Sequence, residues 1–252
     1  MTPPIIRTFP DAEAVSRGAS EEFVRCAREA IAARGRFIVT LSGGSTPKRM
    51  FEMLADKPCR DQVEWAKVHI FWGDERSVPP DHKDSNYRMA HEAMLARLPI
   101  PVAQIHRIEA ERTDRDAAAH DYQTAIAKTL GVDAKGPPPA FDLVLLGMGP
   151  DGHTASLFPG TTALTETTRW VVVNFVPKFN TDRVTLTTSI LNKARQVLFL
   201  VAGADKTQPL FEVIEGPPDT TRLPSQLIKP TAGALIWFVD RLAVAKLSNA
   251  AV

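Results

Sequence analysis

The sequence predicts a single-domain α/β protein with an open, mainly parallel sheet and helices on both faces. Three observations lead to this prediction. Short apolar runs, which are typical of buried strands, alternate along the chain with amphipathic helical stretches. The alternation continues across the proline cluster at 136–139, so we assign residues 1–252 to one domain. The chain is also long enough, at 252 residues, to bury one large core.

The first half of the chain alternates helix and strand. Residues 11–34 carry apolar side chains at helical spacing, with Asp11 as the N-cap. Phe37–Leu41 is a short β-rich run, and Thr46 followed by Pro47 predicts a second helix with Thr46 as its cap. The other elements predicted for this half are a strand over 68–72, a helix over 85–98 capped by Asp84 or Ser85, and a helix over 114–130 that ends near Gly131.

The second half is richer in strands. The apolar run at 141–146 is followed by further runs at 170–175, 184–188, 197–202 and 235–239. Short helices are expected after Ala204 and after Asp240. Because strands that are joined by helices form parallel sheets, their carboxyl ends meet at one edge, where ligands bind in open α/β sheets.

Composition argues against several classes of protein. The net charge of +1 argues against a general polyanion binder, so no nucleic-acid partner is expected. No stretch approaches the ~18 apolar residues of a membrane span, and the N-terminal residues lack the pattern of a signal peptide. The two cysteines, Cys26 and Cys59, make no metal or redox spacing. We therefore predict a cytoplasmic protein without a nucleic-acid or membrane partner.

The most informative segment is 149–158, with the sequence Gly-Pro-Asp-Gly-His-Thr-Ala-Ser-Leu-Phe. It follows the apolar run at 141–146, so its glycine turn delivers Asp151 and His153 to the carboxyl end of a predicted strand. A histidine at this place can titrate near neutral pH and move protons. The alternative is a glycine-rich turn in which the aspartate is solvated and the histidine has no chemical role.

A second segment, Leu41-Ser-Gly-Gly-Ser-Thr-Pro47, links a predicted strand to a helix. Gly43 and Gly44 let the backbone approach a ligand closely, and the start of a helix presents free N–H groups to an anion. Ser45 and Thr46 add hydroxyl donors. The segment matches neither the P-loop nor the G-x-G-x-x-G pattern, which points to a single phosphate group. An ordinary capped turn is the alternative.

Further charged residues lie at the ends of predicted strands. Asp74, Glu75 and Arg76 directly follow a predicted strand, so they emerge at the same sheet edge as the two segments above. A carboxylate there can orient sugar hydroxyls or take a proton, and an arginine can bind phosphate through two hydrogen bonds. Arg183 and Lys206 lie at other strand and loop ends and can supply positive charge. The alternative for all five is a network of solvated surface side chains.

Four segments together resemble the 6-phosphogluconolactonases of the oxidative pentose phosphate pathway. The segments are Leu41-Ser-Gly-Gly-Ser-Thr-Pro47, Gly73-Asp-Glu-Arg-Ser-Val-Pro79, the run 146–158, and Arg183-Val-Thr-Leu-Thr187 with Leu191-Asn-Lys-Ala-Arg195. Their order also agrees with the family, and the likeness spans nearly the whole chain. The resemblance implies a Rossmann-like, glucosamine-6-phosphate-deaminase-like sheet. It also implies hydrolysis of 6-phospho-D-glucono-1,5-lactone to 6-phospho-D-gluconate.

The resemblance further implies roles for individual residues. His153 is expected to act as the general base that activates water for attack on the lactone carbonyl carbon, with Asp151 orienting it. Asp74 and Glu75 are expected to line the sugar site. The residues expected to bind the 6-phosphate and the oxyanion are Ser45, Thr46, Arg76, Arg183 and Lys206. No metal or other cofactor is implied, and the lack of a G-x-S-x-G elbow favours direct attack by water.

Two other functions stay open at this point. An amino-sugar-phosphate deaminase or isomerase shares the fold and the phosphate loop, and it uses a carboxylate such as Asp74 to move protons between adjacent carbons. A non-catalytic sugar-phosphate sensor normally carries a DNA-binding module. Only one helix precedes the first predicted strand, so no helix-turn-helix fits upstream. The expected partner is therefore a small sugar-phosphate lactone.

Overall fold

The computed structural model describes residues 4–248, which form two sheets and their surrounding helices. Within these residues the strands are Ile5–Phe9 (β1), Phe37–Leu41 (β2), Val68–Trp72 (β3), Asp74–Arg76 (β4), Leu143–Gly147 (β5), Val171–Val176 (β6), Thr181–Leu186 (β7), Gln196–Val201 (β8) and Ala234–Asp240 (β9). The α-helices of the same residues are Ala12–Arg34 (α1), Ser45–Ala55 (α2), Asn86–Ala93 (α3), Arg115–Leu130 (α4), Thr188–Leu191 (α5) and Thr207–Ile214 (α6).

The larger sheet has six strands in the order β1-β9-β8-β5-β2-β3, and every neighbouring pair is parallel. All residues of β2 and β8 are buried, as expected for central strands that are covered on both faces. Near-continuous apolar runs are the sequence pattern of such strands, which is why β2, β3, β5, β8 and β9 could be predicted. The predicted fold class is confirmed.

Helices cover both faces of this sheet. Phe37 of β2 contacts Phe23 of α1, with ring centroids 5.1 Å apart. Phe71 of β3 contacts Tyr122 of α4, with centroids 5.8 Å apart. Phe37 pairs in register with Val68, which is three residues from Phe71. Because side chains alternate along a strand, Phe37 and Phe71 point to opposite faces, and α1 and α4 therefore lie on opposite sides.

The second sheet is small and antiparallel, with the order β4-β7-β6. The sequence places Asp74–Arg76 directly after a strand, and the structure shows that they form a short strand of their own, β4. The chain leaves the large sheet at Gly73, whose N–H donates to Leu41 and whose carbonyl accepts from Leu186 of β7. This switch between sheets brings β7 to the carboxyl edge of the large sheet.

The long helices begin and end where the sequence predicts. Ala14 N–H donates to the Asp11 carboxylate at the start of α1, at 2.8 Å. Gly35 ends that helix in the left-handed conformation, and Gly131 ends α4 in the same way. Ser85 is the N-cap of α3, as one of the two predicted candidates. That helix ends at Ala93 instead of 98, and a 3₁₀ turn follows it.

Three local predictions are wrong. The strand β1 was not predicted, because it is a short edge strand with partly exposed side chains, and it precedes α1. Thr46 does not cap α2. The helix begins at Ser45 after Gly44, whose φ of 114° places it in a region that favours glycine, and no side chain caps it. After Asp240 the chain forms turns instead of a helix.

Within residues 4–248, no helix has the length and apolar character needed to span a membrane.

The hydroxyl of Tyr122 satisfies the backbone at the end of edge strand β3, and its loss is expected to destabilise the fold. It accepts from Trp72 N–H at 2.6 Å and donates to Trp72 carbonyl oxygen at 3.0 Å. We expect Tyr122→Phe to lower the free energy of unfolding by about 1–3 kcal/mol, since it leaves buried backbone groups without a partner. Urea unfolding measures this change. Tyr87→Phe is the matched control, and an equal loss in that variant would contradict the assignment.

Two histidines are expected to make stability depend on pH. His69 Nδ1 lies 3.3 Å from His106 Nε2, and both rings are about half-buried. Burial, with the neighbouring His69, lowers the pKa of His106 from 6.5 to about 4. Burial, with Arg36, also lowers the pKa of His69. The unfolded chain therefore binds protons that the folded chain does not, and stability is expected to fall as pH decreases from 6.5 towards 4.

Melting temperatures measured across this pH interval test the effect. His106→Gln is expected to make the melting temperature depend less on pH, because it removes one of the two imidazoles whose pKa is lowered. The exposed His120 provides the control variant His120→Gln, which should keep the slope of the parent chain. The same slope in both variants would show that the buried pair is not responsible.

Candidate active site

A cavity of about 370 Å³ lies at the carboxyl ends of β2, β5 and β8. Loops that follow these parallel strands meet there, and the small sheet adds residues of β4 and β7. Nine residues that were predicted for the site line the cavity: Gly43, Gly44, Ser45, Thr46, Asp74, Arg76, His153, Arg183 and Lys206. Two other predicted residues, Asp151 and Glu75, are not part of its lining.

The turn after β5 holds His153 against the cavity and Asp151 behind it. The Asp151 carboxylate oxygen Oδ1 makes a close hydrogen bond to Nδ1 of His153. The imidazole packs on the backbone of Gly149, where any side chain would collide with the ring, since an added Cβ would lie 2.0 Å from Nδ1. A carboxylate on Nδ1 assigns the proton to that nitrogen and leaves Nε2 as the basic one.

Neighbouring groups fix this turn in place. The ring of Phe158 stacks on His153, with centroids 4.0 Å apart. Thr154 Oγ1 donates to the Gly147 carbonyl at 2.8 Å. The carbonyl of Gly152 accepts from both the N–H and the hydroxyl of Ser225, at 2.9 and 2.8 Å. These contacts leave the imidazole little freedom to rotate, which is the preorganisation that proton transfer requires.

The carboxylate of Asp151 stays ionised because His153 and Lys178 both donate hydrogen bonds to it. Burial alone would raise its pKa, but the hydrogen bond and charge of His153 and the ion pair with Lys178 lower it far below the ordinary value. Lys178 Nζ lies 2.9 Å from Asp151 Oδ2. Lys178 was not among the predicted site residues. It belongs to the tip of the β6–β7 hairpin, and no local sequence motif links it to the catalytic turn.

Two arginines face the cavity from neighbouring strands. Arg76 of β4 and Arg183 of β7 lie directly opposite each other in the small sheet. In the described part of the chain, Arg183 donates no hydrogen bond, and its buried Nε has no acceptor. Burial lowers the pKa of Arg183, and the charge of Arg76 acts in the same direction. Like charges directly opposite in a sheet repel, so this pair favours an anion between them.

The start of α2 supplies further donors. No side chain of the described residues caps the helix, so the N–H groups of Ser45 and Thr46 in its first turn are available to a ligand, whereas Pro47 has none. The hydroxyl of Ser42 is buried beside the cavity without a hydrogen-bond partner within residues 4–248. Ser42 was not predicted, although it lies in the segment identified as a phosphate site. Lys206 also lines the cavity, and its side chain is largely buried, with Nζ 2.8 Å from Asp205.

The two acidic residues of β4 have different environments. Asp74 lines the cavity, where its carboxylate accepts from Ser156 Oγ at 2.6 Å. Glu75 is buried on the other side of the strand, because successive side chains of a strand point in opposite directions. Its carboxylate accepts at 2.8–3.0 Å from four groups, which are the backbone N–H groups of Arg76, Asn86 and Tyr87 and the hydroxyl of Ser85.

Glu75 therefore does not line this cavity, whereas the sequence led us to expect it beside Asp74 in the site. Burial raises the pKa of Glu75, against the opposing effect of its three backbone donors. The residue instead holds the first turn of α3 against β4. Asn86 from that turn then donates to the Asp74 carbonyl at 2.9 Å and packs against Gly43. Glu75 thus acts on the cavity only through the backbone that it anchors.

Comparison with known proteins gives consistent results. A profile of the family described as glucosamine-6-phosphate isomerases/6-phosphogluconolactonase matches residues 10–237. A 6-phosphogluconolactonase of Synechocystis is 46% identical over 215 residues, covering 85% of this chain and 86% of the relative. The solved 6-phosphogluconolactonase of Trypanosoma cruzi superposes with a TM-score of 0.85 at 30% identity, covering 98% and 97% of the two chains.

A solved monomeric glucosamine-6-phosphate deaminase has the same fold, with a TM-score of 0.80 at 16% identity, covering 96% of this chain and 99% of the other. At that identity the likeness concerns the fold alone. The family profile and the Synechocystis relative, by contrast, each cover most of the chain. The chain therefore belongs to the glucosamine-6-phosphate isomerase/6-phosphogluconolactonase family.

Proposed function

We propose that this chain hydrolyses 6-phospho-D-glucono-1,5-lactone to 6-phospho-D-gluconate, with His153 as the general base. Relatives that share a third or more of its sequence are named 6-phosphogluconolactonases, and the activity predicted from the sequence is the same. One observation carries the mechanistic part of the proposal. His153, with Asp151 behind it, and two arginines line a single cavity, and within residues 4–248 neither arginine forms an ion pair.

The reaction requires two proton transfers at one nitrogen. Nε2 of His153 takes a proton from water as the water oxygen bonds to the lactone carbonyl carbon, which gives a tetrahedral oxyanion. The oxyanion then collapses, the bond between that carbon and the ring oxygen breaks, and Nε2 returns the proton to the ring oxygen. Asp151 stays ionised throughout and stabilises the imidazolium between the two steps.

The cationic part of the cavity suits the phosphate of the substrate. Arg76, Arg183 and Lys206 supply charge, and the first turn of α2 supplies backbone N–H groups. Asp74 is the one predicted carboxylate that lines the cavity, and it is placed to accept hydrogen bonds from sugar hydroxyls. Holding the phosphate at a distance from the reacting carbon fixes the lactone relative to Nε2.

We further propose that the chain works as one domain in the cytoplasm, without a nucleic-acid partner. Both sheets contribute residues to the cavity, so neither sheet forms the site alone. Cys26 and Cys59 are both free, in keeping with a reducing compartment, and burial raises the pKa of Cys26 to about 12. The net charge of +1 gives no general attraction to polyanions.

Replacing the proposed base is expected to remove most of the catalysis. We expect His153→Gln to lower kcat by ~10²–10⁴-fold, the usual contribution of a positioned general base, with a small change in KM. Hydrolysis of freshly prepared lactone is followed through oxidation of the product by 6-phosphogluconate dehydrogenase. A blank without enzyme corrects for spontaneous opening, and His120→Gln is the control. Turnover near that of the parent chain would exclude His153 as the base.

The arginines are expected to affect binding more than chemistry. We expect Arg183→Ala to raise KM about tenfold or more with a smaller loss of kcat, because it holds a part of the substrate that does not react. Inorganic phosphate should raise the melting temperature of the parent chain and lose this effect in the variant. Arg60→Ala, at an exposed site, is the control. An unchanged KM together with unchanged stabilisation by phosphate would remove Arg183 from the site.

The same assays separate the rival functions. Asp74 lines the cavity, which is the observation that favours a deaminase or isomerase. Release of ammonia from glucosamine 6-phosphate, without acceleration of lactone hydrolysis, would assign that activity instead. Stabilisation by sugar phosphates without any turnover would indicate a sensor.

A further inference from the structure

We propose that Lys178 is a positioning residue for catalysis, which holds Asp151 so that His153 keeps its proton on Nδ1 and presents a basic Nε2 to the substrate. This inference rests on the proposed function. It concerns a residue from a different part of the fold, the tip of the β6–β7 hairpin. The ammonium group contacts the second oxygen of Asp151, Oδ2, at 2.9 Å, while the imidazole contacts Oδ1.

The hairpin tip is built to hold its lysine in one place. Val176 and Thr181 are the last paired residues of the two strands, so the tip contains 177–180. Pro177 begins a 3₁₀ turn, and Asn180 ends it in the left-handed conformation, with its N–H donating to the Pro177 carbonyl at 3.1 Å. A fixed backbone at both ends of the turn limits the directions that Lys178 can take.

An aromatic contact joins the same tip to the imidazole. The ring of Phe179 meets Phe158 edge-on, with centroids 5.7 Å apart, and Phe158 stacks on His153. The Lys178 ammonium also lies 5.6 Å from the centre of the Phe179 ring. The hairpin tip therefore contacts both members of the catalytic pair, Asp151 through charge and His153 through Phe158.

The two oxygens of Asp151 have separate partners. Oδ1 accepts from His153 Nδ1, and Oδ2 accepts from Lys178 Nζ. Pro150 and Gly152 flank the aspartate, and the local backbone adds one long hydrogen bond, from His153 N–H to Oδ1 at 3.4 Å, whereas Oδ2 is held by Lys178. With Lys178 bound to Oδ2, Oδ1 stays directed at the imidazole. The hydrogen bond from His153 Nδ1 to Oδ1 then keeps the proton of the imidazole on Nδ1. Removal of the ammonium frees the carboxylate to rotate away.

The lysine also acts on the imidazole through its charge. Within residues 4–248, Lys178 is the cation that forms an ion pair with Asp151, Asp151 is the anion in contact with His153, and the uncharged ring of Phe158 covers one face of the imidazole. The other charged groups at the cavity are Asp74, Arg76, Arg183 and Lys206. A positive charge beside Asp151 opposes protonation of the imidazole.

This role differs from substrate binding and from structural support. Lys178 does not line the cavity, so direct contact with the phosphate is not expected. Its side chain is half exposed, and exposed ion pairs contribute little to folding stability. Loss of the lysine should therefore leave the fold intact and change the pair alone.

The experiment compares Lys178→Met, which keeps the length of the side chain without its charge, with Lys178→Arg. We expect Lys178→Met to lower kcat about tenfold, the scale on which outer-shell partners act, with KM within about twofold of the parent chain. The acid limb of the kcat profile should move to higher pH, because the imidazole is then protonated more easily. Lys178→Arg should keep most of the parent kcat and an acid limb close to that of the parent chain. Lys135→Met, at an exposed loop lysine, is the matched control.

A second arm tests whether the lysine acts through Asp151. In an Asp151→Asn background, Lys178→Met should cause no further loss of kcat, since the carboxylate that it holds is gone. Nitrogen NMR of the imidazoles reports the tautomer directly, and the His153→Gln spectrum assigns the signal. Nδ1–H should dominate for His153 in the parent chain and decrease in Lys178→Met.

Several results would overturn the proposal. A raised KM with an unchanged kcat and acid limb would make Lys178 a substrate-binding residue. If Lys178→Met lowers kcat by the same factor in the Asp151→Asn background as in the parent chain, the lysine does not act through Asp151. An unchanged tautomer of His153 in Lys178→Met would lead to the same conclusion. If the parent chain does not hydrolyse the lactone, the proposed function fails, whereas the NMR comparison still decides whether Lys178 sets the tautomer.

Discussion

The site depends on one constraint, which is that parallel strands place their carboxyl ends at the same edge of the sheet. Strands β2, β5 and β8 are adjacent and parallel, so the loops after them have no other place to meet. That edge receives the glycine turn before α2, the turn that carries His153, and Lys206. The edge of one sheet provides no residues to line the other side of the cavity, opposite these loops. The chain passes from the large sheet to the small one at Gly73, and β4 and its partner β7 then cover the same edge and line that side.

Charge divides the cavity into two regions with different requirements. At the turn after β5, the negative charge of Asp151 is matched by Lys178, and His153 donates a hydrogen bond to the same carboxylate, so this region needs no ligand to be stable. In the small sheet, Arg76 and Arg183 repel each other, and neither forms an ion pair within residues 4–248. In the proposed function, the phosphate of the substrate relieves that repulsion. Binding energy is then gained at the phosphate end of the substrate, which does not react.

The sequence predicts well what depends on local pattern. Long helices, central strands and the segments that carry His153 and the glycines at 43 and 44 all have local signals, and the structure has them at the predicted places. It predicts poorly what depends on register or on distant pairing. Asp74 and Glu75 are adjacent, and only the orientation of a three-residue strand decides that Asp74 faces the cavity. Lys178 meets the catalytic turn through a hairpin that lies 27 positions further along the chain, and no local pattern encodes that contact.

The fold alone does not decide the chemistry. A glucosamine-6-phosphate deaminase shares the architecture, and a buried carboxylate at the position of Asp74 could serve proton transfer between carbons as well as sugar binding. What favours lactone hydrolysis here is the turn after β5. It places a histidine whose Nδ1 bonds to a carboxylate, and a lysine from the second sheet contacts that carboxylate. Hydrolysis by the proposed mechanism needs one nitrogen that accepts and returns a proton, and Nε2 of His153 is the nitrogen that this arrangement leaves for both steps.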